Sequence, residues 1–163
     1  MVAPMQTVPD KSVEMLLRGR RASLRLAILR YQFPQITTGE YDANWLIIQG
    51  HVSLDDRSWT FSDPSLTTFE VRQLADWLDS LARGDEVEPQ CDFIEPNLQF
   101  ERTSDKAIRV SFALESAPPW AKPDDSWSEH GFEVLIDKHL QTAAERLRSQ
   151  LRVFPERGDR SPG

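Results

Sequence analysis

One cysteine, three histidines and seven glycines are what this 163-residue chain is short of, and each scarcity excludes something. A lone Cys91 leaves no intrachain disulfide, which favours a reducing, cytoplasmic setting over a stapled secreted scaffold. His51, His130 and His139 include no pair at metal-binding spacing on a helix or strand, and neither a cysteine pair nor a His-Glu-x-x-His pattern occurs. Few glycines leave few places for a phosphate-cradling loop or a serine nucleophile elbow, and neither motif is present. Long apolar runs are missing too. Residues 26–29 and 45–48 are the longest clean ones, far short of the roughly 20 residues a membrane span needs. Arg20 and Arg21 precede an apolar stretch in the manner of an export signal, but Arg25 interrupts it and no small-residue cleavage site follows.

Positive charge is the other shortage. Nineteen basic residues against 26 acidic ones give a net −7, which disfavours nucleic acid and anionic membrane as partners, because both are bound by neutralising phosphates. Two local concentrations, Arg18, Arg20 and Arg21 near the start and Arg146, Arg148 and Arg152 near the end, read as a solvated edge strand and a solvated helix face. The acidic surplus favours a basic protein as partner through electrostatic steering.

What is present suits a single globular domain. Five Trp and eight Phe can anchor a core, and a chain of this length buries enough surface to need no staple. Residues 1–20, with two Pro and mixed polarity, read as a loose lead-in, residues 21–155 as the domain, and residues 156–163 as a disordered tail. Alternating polarity predicts strands at 23–31, 44–54 and 58–61, with a turn at Asp55, Asp56 and Arg57. Thr67 and Glu70 form a capping-box signature, Val71, Leu74, Leu78 and Leu81 recur at helical spacing, and Gly84 is a left-handed stop. A helix over 68–83 follows. Short strands are predicted at 92–95 and 98–102, clearer ones at 108–115 and 132–136, and a loop at 117–128. Leu140, Ala143, Ala144, Leu147 and Leu151 mark a last helix with Asp137 as cap. The expected class is α+β: a mostly antiparallel sheet of six to seven strands with two amphipathic helices, in the order βββ-α-ββββ-α.

No catalytic residue, metal site or cofactor is expected. His51 with Asp55 and Asp56 reads as a hydrated hairpin turn. Cys91 reads as a small buried hydrophobe. Glu95 and Glu101 show no sign of one desolvated and one solvated carboxyl, as acid–base catalysis would need.

The segments Tyr31-Gln32-Phe33-Pro34, Tyr41-Asp42-Ala43-Asn44-Trp45-Leu46, Trp59, Asp63-Pro64, Leu66-Thr67-Thr68 and Trp77-Leu78 together resemble the WapI-like immunity proteins, a family of small bacterial proteins. Phe93-Ile94-Glu95-Pro96-Asn97-Leu98-Gln99-Phe100-Glu101 and Pro118-Pro119-Trp120 extend the resemblance over residues 24–155. It implies a non-enzymatic cytoplasmic antidote that binds a toxin domain, with a basic nuclease domain as the partner that an acidic protein suits. It supplies no catalytic residue. Aromatic anchors beside acidic groups in loops are the physical criteria for the partner surface. Trp120, Asp124, Asp125 and Trp127 meet both, with Tyr41, Asp42, Asn44, Glu95 and Asn97 as second choices. The competing expectations are an enzyme or small-ligand module with a cavity on the sheet, lined by Glu95, Asn97 and His51, and a subunit assembling through a free sheet edge.

Overall fold

The computed structural model describes residues 13–39 and 41–158. The chain forms β1 (Met15–Gly19), β2 (Ala22–Tyr31), β3 (Trp45–Leu54), β4 (Arg57–Thr67), α1 (Thr68–Arg83), β5 (Gln90–Cys91), β6 (Leu98–Ser104), β7 (Ala107–Phe112), β8 (Gly131–Leu135) and α2 (His139–Val153). A 3-10 turn, Leu114–Ser116, follows β7. The strands make one antiparallel sheet in the order β4-β3-β2-β1-β8-β7-β6-β5. The α+β class, the antiparallel sheet and the two helices are as the sequence predicts. The strand count is eight rather than six to seven.

The additional strand is β1, inside the segment read as lead-in, whose first 12 residues lie outside those described. Its pattern is masked because Leu16 is apolar on the outward side, although only Met15 and Leu17 are buried. Residues 92–95 are not a strand, since the Ile94 amide donates to the Glu70 carboxylate at 2.7 Å instead of to a ladder. The two-residue β5 precedes them. β4 runs past its expected end through Pro64, which an edge strand tolerates at a bulge. Leu46 faces Leu66 and Ile48 faces Asp63, so β4 has one residue more than β3 there.

Register places one apolar face on the concave side. Met15 and Leu17 lie opposite Leu26 and Leu24, Val52 opposite Trp59, Gly50 opposite Phe61, and Val110 opposite Phe132 and Phe100. Leu74 and Leu78 of α1 and Leu140, Ala144 and Leu147 of α2 complete this core. The sheet curls far enough for β4 to meet the end of β7. Trp59 packs edge-on to Phe112 at 5.4 Å, and its indole N–H donates to the Ser116 carbonyl at 3.0 Å.

α1 spans Thr68–Arg83 as predicted. The Thr67 hydroxyl accepts the Glu70 amide, the Glu70 carboxylate accepts the Thr67 amide, and Gly84 closes the helix at φ +78°. At α2 the N-cap position is Lys138, and the Asp137 carboxylate accepts the His139 amide at 2.8 Å. The described part of the expected tail is anchored. Arg157 donates to the carbonyls of Phe33, Pro34 and Ala43 and lies 3.6 Å over the Tyr31 ring. No described helix is long and apolar enough to cross a membrane.

Candidate functional site

The end of the sheet where β7 meets β4 gathers most of the loop residues singled out by sequence. β7 stops because Leu114 adopts φ +52°, a left-handed conformation unfavourable for a bulky side chain, and the side chain is left 53% exposed. Three successive turns follow, closed by the amides of Ala121, Asp125 and Glu129 donating to the carbonyls of Pro118, Lys122 and Ser126. The Phe112 amide donating to the His130 carbonyl at 2.8 Å ties the two ends of this loop together.

Asp125 is the brace within it. Its carboxylate accepts the Lys122 amide at 2.7 Å and pairs with His130 Nε2 at 2.8 Å. The Lys122 backbone bond, then the His130 bond, hold its pKa below the ordinary carboxylate value. So fixed, the loop stands off the sheet and leaves a cleft of about 380 Å³ between Leu114 and Trp127, floored by Phe112 and Ala113. Trp127 is 50% exposed at its rim.

Trp120 has a different role. Its ring lies edge-on to Trp59 at 5.3 Å and under the Arg57 guanidinium at 4.8 Å, so it covers the open end of the core. Asn97 is buried, donating to the Glu115 carboxylate at 3.0 Å while its carbonyl accepts the Ala113 amide. Asp63 lies near, with a pKa raised by burial and then by the negative charge of Glu115. Asp124 and Glu95 are exposed. Tyr41, Asp42 and Asn44 form a separate group beside Arg157. Tyr41 and Asp42 face solvent, whereas Asn44 is fully buried, bonding Thr68 and both the amide and the carbonyl of Arg157. Leu114 and Glu115 belong to this surface but were not singled out by sequence. Leu114 continues the β7 alternation and so reads as an inward strand position; nothing in the sequence flags its turn outward.

The ligand cavity expected on the sheet does not assemble from its three residues. His51 lies on the convex face, exposed, with Nδ1 2.9 Å from the Thr60 hydroxyl, while Asn97 is packed behind Glu115. The concave face is filled by the two helices. Cys91 is buried, and burial pushes its thiol up to about 12, the opposite of an activated nucleophile. Among the described residues no three His, Cys, Asp or Glu side chains gather as a metal site. For assembly through an edge, β5 offers only two residues and β4 is flanked by the 3-10 turn.

The model of the immunity protein WapI-like family matches residues 15–155. No curated protein and no solved structure matches the chain. The match spans β1 to α2, so the chain belongs to that family.

Proposed function

We propose, with that membership as premise, that this chain is a non-catalytic antidote which binds a toxin domain and blocks it from the Leu114–Trp127 cleft. What supports this reading is an exposed Trp127, of the residue type that dominates interfaces, facing an exposed Leu114 across a cleft held open by its own hydrogen bonds. Strained backbone at an exposed apolar residue is typical of positions kept for function rather than stability. Asp124 and Glu115 are exposed and lie next in the chain to residues lining the cleft, and negative charge there suits a basic partner such as a nuclease domain. In this arrangement the acidic rim sets the association rate and the buried aromatic sets the dissociation rate. Trp120 and Asp125 then support the surface, Asn97 positions Glu115, and Tyr41 with Asp42 lies outside its centre. The setting is the cytoplasm of the cell that the antidote protects.

The test has two steps. Affinity capture of the tagged chain from its own cells, washed at low and at high salt, identifies the toxin domain. Co-expression of that domain with the chain then measures protection of growth. Trp127→Ala is expected to weaken binding roughly thirtyfold or more and to abolish protection, with the far-UV circular dichroism unchanged. Full protection by Trp127→Ala would remove this cleft from the interface.

A further inference from the structure

Arg157, just past the end of α2, is held by the rest of the chain as a peptide ligand is held by a receptor. Its Nε, Nη1 and Nη2 donate to the carbonyls of Ala43, Pro34 and Phe33 at 3.0, 3.1 and 3.0 Å, and its guanidinium lies 3.6 Å from the centre of the Tyr31 ring. Buried Asn44 takes the backbone of the same residue from both sides. Its Oδ1 accepts the Arg157 amide at 2.9 Å, and its Nδ2 donates to the Arg157 carbonyl at 2.7 Å. The Tyr31 hydroxyl donates to the Pro155 carbonyl. Side chain and main chain are thus both read. The positive charge is met by carbonyl dipoles and an aromatic face, and Arg157 forms no ion pair among the described residues.

The two sides of this contact differ in what holds them. The receiving side is built without the tail. The Gln32 amide donates to the Trp45 carbonyl at 2.8 Å, the Ile36 amide to the Phe33 carbonyl at 3.0 Å and the Asn44 amide to the Tyr41 carbonyl at 2.9 Å. Asn44 is aimed from α1, because the Thr68 hydroxyl donates to its Oδ1 at 2.8 Å. The tail has no such frame of its own. Beyond Val153 it leaves the helix, Pro155 and Gly158 are exposed, and Glu156 and Arg157 are half-buried. A short surface segment of this kind opens at low cost compared with the sheet it rests on. Tyr41, 51% exposed, and the exposed Asp42 stand beside the socket and take no part in holding Arg157, so an aromatic ring and an acid remain free for a larger basic ligand.

We propose that residues 31–34 and 41–44 form a recognition site for an arginine in an extended peptide, filled in the resting chain by Arg157 and opened by exchange with an arginine of a basic protein. Three carbonyls and a ring face suit the planar, delocalised guanidinium better than the compact, strongly hydrated ammonium of lysine. The exchange is intramolecular on one side, so an incoming arginine competes with a tethered one at an effective concentration on the order of millimolar. Arg157 thereby acts as an internal competitor that raises the threshold for binding. The site shares no residue with the Leu114–Trp127 cleft, so it stands or falls independently of that cleft.

The experiment titrates the full chain carrying Arg157→Ala with a blocked peptide of residues 154–158, Phe-Pro-Glu-Arg-Gly, followed by the amide resonances of the protein. Saturable one-to-one binding is expected, with the shifts gathered on Tyr31, Phe33, Ala43 and Asn44. The parent chain, whose socket is filled, should bind the same peptide about tenfold more weakly or less. The peptide carrying Arg157→Gln should lose binding to the variant, and the peptide carrying Arg157→Lys should bind about tenfold more weakly. Circular dichroism checks that Arg157→Ala is folded. Should it not be, Arg157→Lys takes its place in the protein, because an ammonium lacks the planar fork and yields the socket to the arginine peptide. Absence of binding to the opened chain overturns the proposal and leaves Arg157 a structural clamp. Equal binding by parent and variant overturns it as well, since the peptide then sits elsewhere. Equal binding of the glutamine peptide removes the guanidinium from the recognition. None of these failures touches protection by the Leu114–Trp127 cleft, which the Trp127→Ala growth test reads separately.

Discussion

Two single atoms show how tightly the concave face is filled. A β-carbon added at Gly50 would lie 2.0 Å from the Phe61 ring, which rests over the bare backbone of β3. Gly50→Ala is therefore expected to cost about 1–3 kcal/mol, read as a lower urea midpoint at unchanged slope. A loss below about 0.5 kcal/mol would mean that Phe61 swings aside and that the site is not close-packed. Cys91 provides the chemical counterpart. Burial raises its thiol from the ordinary 9.0 to about 12. The native chain should leave a thiol-reactive dye unconsumed at pH 8 and react stoichiometrically once unfolded in urea. The sign of the linkage follows: the folded thiol keeps its proton where the unfolded one releases it, so this contribution is whole below about pH 9 and is lost as pH rises toward 12. Cys91→Ala should flatten that part of the alkaline decline, and an unchanged decline would assign it to other groups.

Among the elements, α1 is the one whose local signals all agree, and its first turn does more than cap. Glu70 uses one carboxylate oxygen for the Thr67 amide and the other for the Ile94 amide, joining the helix start to the β5–β6 loop. Thr67→Ala should cost about 1 kcal/mol, as the loss of an N-cap does. Glu70→Ala should cost more, and it alone should raise hydrogen exchange at Ile94, since that amide loses its acceptor. Equal protection of Ile94 in the two variants would show that the loop stands without Glu70. Capping and stripe residues lie next to each other in the chain, which is why Thr68–Arg83 was legible from sequence to the residue. β1 was not, because its outward Leu16 hides the alternation that only its neighbours β2 and β8 impose. The candidate cleft was half legible. Trp127 and Asp124 announce themselves as loop aromatic and loop acid, whereas Leu114 becomes a surface anchor only through a backbone angle that tertiary packing sets. Asn44 and Asn97 carry the same lesson in reverse. Both read as surface polar groups, and both are buried with their hydrogen bonds taken from segments distant in sequence.

The whole molecule divides its charge and divides its sheet. Exposed Asp124 and Glu115 lie next in the chain to residues that line the cleft at the open end of the core, while Arg18, Arg25 and Arg146 gather at the β1–α2 seam, so a protein of net −7 still collects basic side chains in one place. The sheet is two four-stranded meanders, β1 to β4 and β5 to β8, joined by the Gly19–Val134 pair. Strand pairing alone would let them separate. The helices prevent it: α1 follows the first meander and α2 the second, yet they pack on each other, and α2 also lies against β1 and β2, where Gln150 accepts the Ile28 amide at 2.6 Å. Trp59 from the first meander is sealed by Phe112 and Trp120 from the second. One core therefore crosses the seam, and unfolding in urea should be a single cooperative transition, with far-UV circular dichroism and tryptophan fluorescence tracing the same curve. Gly19→Val tests the seam itself, because a side chain there would meet the Glu133 carbonyl at 2.3 Å and the Phe132 ring at 2.7 Å. It should lower the midpoint of that one transition while leaving the two probes superimposed. If instead the curves split, with fluorescence lost first, the helices do not couple the meanders and the seam is the hinge along which the molecule opens.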